Sequence, residues 1–157
     1  MAYTMKLGFS DLHTIYNLTY AVGLGQVNRR DDVLLVQTLL KMAHAMILGG
    51  GVPSGSTSTI TVDGYFGPET KLCIDAYQKE QTYFYHKLIA QDGIISPSTP
   101  DGYTKKGNLY TIVHLNRSAL THDSSQYRYL PFSTDTPPEL RNALAPGAVK
   151  PKPSVIF

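Results

Sequence analysis

The chain has 157 residues, 42% of them hydrophobic and 17% charged, which is enough apolar material for one core and too little charge for a disordered polyelectrolyte. Fourteen Lys and Arg against twelve Asp and Glu leave a net charge of +2, with no electrostatic footprint for nucleic acid. No apolar run approaches the roughly 18 residues of a membrane span, and a single cysteine excludes an intrachain disulfide and a Cys-rich zinc site.

In chain order, the N-terminal MAYTMKLGFSDLH lacks a basic start followed by an apolar stretch, so no secretory signal is expected and folding in the cytoplasm is. Leu12, Tyr16, Leu18, Tyr20 and Val22 share one parity, with Thr14 the polar member. That alternation predicts a strand over 12–22, closed by Gly23 and Gly25, with a helix starting at Ser10 or Asp11 as its competitor. From 28 to 48, Val33, Val36, Leu40, Ala43 and Ile47 fall at helical spacing. Asp31 and Asp32 stand where an N-cap and a first-turn acid belong, because free N–H groups there favour carboxylates. Gly49–Gly51 ends this helix, and the Gly-, Ser- and Thr-rich stretch to Thr61 reads as a loop.

A turn follows, Val62-Asp63-Gly64-Tyr65-Phe66-Gly67-Pro68-Glu69-Thr70. Gly64 permits positive φ, and Pro68 suits the first helical position, where its missing N–H costs nothing. The helix then runs to the mid-eighties with Leu72, Cys73, Ile74, Tyr77 and Gln81 inward. The pattern Asp-Gly-x-apolar-small-Pro-x-Thr recurs at Asp92–Thr99, 29 residues on, with Ile95 in the place of Phe66 as an apolar plug. The second copy is interrupted by turn residues between Pro100 and Gly107. Helical spacing resumes with Leu109, Ile112, Val113 and Leu120 inward. From Pro131 on, the chain holds six of its ten prolines. A short helix is possible over 137–144, and the end reads as extended polyproline-like chain.

Val33, Val36, Gln37, Leu39 and Leu40, then Val62–Thr70, then Ala76-Tyr77-Gln78, then Asp92-Gly93, together resemble the small three-helix peptidoglycan-binding domains over about residues 28–120. Departures are the long loop at 49–61, the insertion at 100–108, and Ser96 in place of a second Gly. The expected fold is mainly α. It is a three-helix bundle over 28–121, preceded by a short β element within 1–27 and followed by an extended Pro-rich arm over 122–157.

The resemblance implies a non-catalytic module that binds cell-wall glycopeptide in a shallow groove beside the Asp63–Phe66 turn. The candidate ligand-binding residues are Gln37, Asp63, Gly64, Tyr65, Gln78 and Asp92. Read as residues alone, Asp63 is first a turn former, Phe66 a core plug, and the two glutamines buried amides that must find partners. Tyr65, between a turn and a buried Phe, points outward, where stacking on a sugar face and plain exposure are equally open. Cys73 has no adjacent base and reads as packing. The five histidines have no zinc spacing, so no metal and no cofactor are expected. The alternative reading is a structural or adaptor subunit of a phage particle or injection device, contacting protein partners through 131–157. Either reading places the chain at a cell envelope or within such a particle.

Overall fold

The computed structural model describes residues 1–9, 11–49, 60–85 and 89–145. Among these residues the fold is mixed: five helices and two small two-stranded antiparallel sheets. An N-terminal hairpin pairs β1 (Tyr3–Lys6) with β2 (Thr14–Asn17), Thr4 opposite Tyr16. The second sheet pairs β3 (Val22–Gly23) with β4 (Ile94–Ile95). The helices are α1 (Arg30–Gly49), α2 (Pro68–Tyr85), α3 (Thr111–His122), α4 (Ser124–Arg128) and α5 (Pro138–Leu144). No helix among the described residues is long and apolar enough to cross a membrane.

α1 is the axis of the fold. Val33, Val36, Leu40 and Ala43 are buried as their spacing predicts, and so are Leu34, Leu35, Leu39 and Met42. A helix apolar nearly all round must be covered nearly all round, and α2, α3, α5 and β3 pack against it. The continuous strand expected over 12–22 is instead two short strands in different sheets. The cause is Asp32. Its buried carboxylate accepts the N–H groups of Thr19 and Tyr20, both at 3.0 Å, and so takes two donors that a strand would give to a ladder. Burial pushes this carboxyl up to about 6. Asp31 likewise reaches outside its helix, accepting from the Ala2 N–H at 2.6 Å. The competing helix does not form, since Asp11–His13 is not helical.

α2 begins at Pro68, as expected, and buries Cys73, Ile74, Tyr77 and Gln81. Leu72 corrects the inward assignment: it is 44% exposed. Two residues before Ile74, it lies about 200° around the helix from the buried line. In α3, Ile112, Val113, Leu115 and Ala119 are buried. Asn116 on the same helix clamps the hairpin. Its Oδ1 accepts from the Tyr16 N–H at 2.9 Å and from the Tyr127 hydroxyl at 2.5 Å, and its Nδ2 donates to the Tyr16 carbonyl at 2.9 Å.

The chain beyond α3 departs from an extended arm. Residues 124–128 and 138–144 are helical, the latter within the stretch where a short helix was foreseen. Leu130, Leu140 and Leu144 belong to the same apolar cluster as Ala2, Ile15 and Ile112. Of the 131–157 segment expected to meet partners, 131–145 packs on this core, while 146–157 lies outside the described residues. So does most of the expected loop at 49–61.

Candidate functional site

Two Asp-Gly corners are built on one plan. At the first, the Tyr65 N–H donates to Asp63 Oδ1 at 2.9 Å, closing an Asx turn that Gly64 permits with φ +80°. Gln37, seven residues and two helical turns after Arg30, lies buried beneath it. Its Oε1 accepts from the N–H groups of Asp63 (3.0 Å) and Gly64 (2.9 Å). Its Nε2 lies 3.0 Å from each of Asp63 Oδ1, the Tyr65 carbonyl and Thr70 Oγ1.

The second corner repeats this. The Ile94 N–H donates to Asp92 Oδ1 at 3.0 Å, with Gly93 at φ +72°. Gln78 accepts from the Gly93 N–H at 2.8 Å and directs its Nε2 to Asp92 Oδ1, the Ile94 carbonyl and Thr111 Oγ1. The threonine that completes the second lock is therefore Thr111 and not Thr99, which the constant 29-residue offset had paired with Thr70. The 100–108 insertion lies between corner and helix. The α2 helix joins the two locks, holding Thr70 in one and Gln78 in the other, about 12 Å apart along its axis.

The candidate residues thus fall into two sets, Gln37, Asp63, Gly64 and Tyr65 at one corner, Gln78 and Asp92 at the other. Both glutamines are buried, with both polar atoms of each engaged in the corner. Asp63 is exposed, and the Tyr65 N–H and the Gln37 amide hold its carboxyl below the usual carboxylate range. Tyr65 points outward, 72% exposed. Its ring carries the Arg30 guanidinium 5.4 Å from the centroid. Arg30 Nη1 donates to the Asp63 carbonyl at 2.8 Å and its Nε to Glu139 Oε1 at 2.7 Å. These exposed contacts orient the group more than they stabilise the fold. Phe66 is half-buried against the core, and Ile95 is fully buried, so both plugs insert.

Glu139 and Thr111 are partners that sequence reasoning passed over, Arg30 reads there only as a solvated charge, and Thr70 stands in the turn motif without its role. Arg30 had a usable signal, because it shares a face of α1 with Gln37. Glu139 had none, since it arrives from α5. Cys73 is buried. Among the described residues no group of three or more His, Cys, Asp or Glu is placed to hold a metal ion.

Compared with known proteins, the chain matches no family model, no curated protein and no solved structure.

Proposed function

We propose that the chain is a non-catalytic binding module for cell-wall peptidoglycan, with the first Asp-Gly corner as its contact surface and α1, α2 and α3 as the three-helix frame. The observation that carries the reading is the Tyr65 ring, exposed on a corner locked from below by Gln37 and flanked by Arg30. A tyrosine held this way stacks on a sugar face and offers a hydroxyl. Arg30 supplies donors for a peptide carboxylate, and exposed Asp63 an acceptor for a sugar hydroxyl. Gln37, Gly64, Gln78 and Asp92 serve the reading by holding the corners in shape, so little ordering entropy is lost on binding. At the second corner Ile94 stands where the first has Tyr65, which assigns the stacking role to the first corner.

One exposed aromatic and a few hydrogen bonds support weak, avidity-assisted binding. The test is co-sedimentation with purified insoluble peptidoglycan at moderate salt. Retention of the wild type, lost in Tyr65→Ala while its unfolding midpoint stays unchanged, is the expected result. A wild type that remains in the supernatant overturns the proposal.

A further inference from the structure

A second surface has no place in that reading. Where the β1–β2 hairpin meets α3, α4 and α5, a groove of about 590 Å³ opens, within the size range of small-molecule sites. Its apolar lining is Leu12, Tyr16, Leu120, Tyr127 and Leu144, with Phe132 at the edge, 60% exposed. The tyrosine hydroxyls are engaged inward: that of Tyr16 donates to the Tyr127 carbonyl at 2.8 Å, and that of Tyr127 to Asn116 Oδ1 at 2.5 Å. The two rings meet edge to face at 5.0 Å, so this part of the groove offers ring and aliphatic surface. The rim is polar. Asp11, His13, Thr14 and Arg128 line it, and all four are exposed. Asp11 is already matched, since its two oxygens accept from Arg117 Nε at 3.0 Å and Nη2 at 3.3 Å. Arg128 enters no ion pair among the described residues, which leaves the rim with an uncompensated cation.

We propose that this groove binds a single-chain aliphatic carboxylate, its hydrocarbon body against Leu12, Tyr16 and Tyr127 and its head on Arg128. The lining selects the body. Where the protein's own hydroxyls are already paired, a ligand's buried polar group finds no partner, and hydrocarbon is what such a surface takes at no polar cost. The rim selects the head. A guanidinium presents a planar fork that meets a carboxylate through two parallel hydrogen bonds. The His13 ring and the Thr14 hydroxyl add donors on the same rim. Asp11 sets the limit on charge: although paired, it is a carboxylate beside the head, so a monoanion is favoured over a dianionic phosphate. Arg128 in turn disfavours a cationic head. Because the rim is exposed, solvent screens these charges, so apolar burial supplies most of the affinity and Arg128 the choice of head group.

The test titrates the full chain, labelled with ¹³C and ¹⁵N, at neutral pH with decanoate, decylammonium and decyl phosphate, each below its micelle concentration. Decanoate is expected to shift the side-chain signals of Leu12, Tyr16, Tyr127 and Phe132 saturably. It should bind at least about fivefold more tightly than decylammonium, and more tightly than decyl phosphate. Arg128→Gln should weaken decanoate at least about threefold and narrow its lead over decylammonium. Phe132→Ala should weaken all three amphiphiles alike, and both variants, at exposed positions, should keep the wild-type unfolding midpoint. Three outcomes overturn the proposal: no saturable shift at the groove with decanoate, decylammonium or decyl phosphate binding as tightly as decanoate, or a decanoate affinity that Arg128→Gln leaves unchanged.

Discussion

Replacing Gln37 by alanine removes the support of the first corner while leaving its loop sequence untouched. The Gly64 N–H is then buried without an acceptor, and the partly buried Asp63 N–H loses the same oxygen. A buried donor left unpaired costs about 1–3 kcal/mol, so the two make a loss of about 2–6 kcal/mol, toward the lower end because the Asp63 N–H is only partly buried. Gln78→Ala orphans one N–H, that of Gly93, and is expected to cost about 1–3 kcal/mol. Gln37→Glu is the more discriminating change. It keeps the acceptor oxygen but turns a second oxygen toward Asp63 Oδ1 and the Tyr65 carbonyl, where Nε2 donated. The buried carboxylate is repelled, so its folded pKa rises, and the deficit against wild type is largest at pH 7 and shrinks as pH falls toward 4.5. The Tyr65 N–H, the largest of the influences that hold the Asp63 carboxyl low, stays in place in this variant. Urea denaturation followed by circular dichroism, wild type and variants at both pH values, measures these differences. A Gln37→Ala cost below about 1 kcal/mol, or a Gln37→Glu deficit that does not change with pH, refutes the lock.

The buried Asp32 carboxyl is raised from 3.8 to about 6, so the folded state holds more protons than the unfolded one between those values. Its contribution to stability therefore falls as pH rises from about 4 to about 6, by on the order of 3 kcal/mol. Urea midpoints across that range should decline in the wild type and flatten in Asp32→Asn, and a rising wild-type profile contradicts the assignment. Thr111→Val should cost about 1–2 kcal/mol by removing an acceptor from buried Gln78, whereas Thr99→Val at an exposed position should stay within about 0.5 kcal/mol. The reverse order in thermal unfolding would restore Thr99 as the partner.

What the sequence made legible was local. The α1 and α2 helices follow from 3.6-residue spacing, and Pro68 marks a start that its own ring dictates. Each Asp-Gly corner follows from a carboxylate two residues before an N–H and a glycine free to take positive φ. The failures lie where a partner comes from far along the chain. Nothing in residues 12–22 shows that Asp32 will claim two of their N–H groups. The β1 strand has only four residues, too few for alternation to stand out before its pairing with β2 exists. Glutamines 37 and 78 carried the requirement for partners on their faces, but the identity of the second threonine was hidden by the inserted segment between Asp92 and α3. A fixed offset is a property of the string, and the lock is a property of the space around Gln78.

The displacement of Thr111 from its corner has a practical meaning. Between the Asp92 corner and the first residue of α3, the chain is built into the fold by Ile95 in the core, by Ser98 bonded to Asn17 and again by buried Leu109, and only the turn over 104–107 stands outside the frame. Exposed Lys105, Lys106 and Gly107 sit at its tip. That tip is a graft position: a peptide epitope or tag inserted there is carried on a rigid platform without asking the frame to accommodate it.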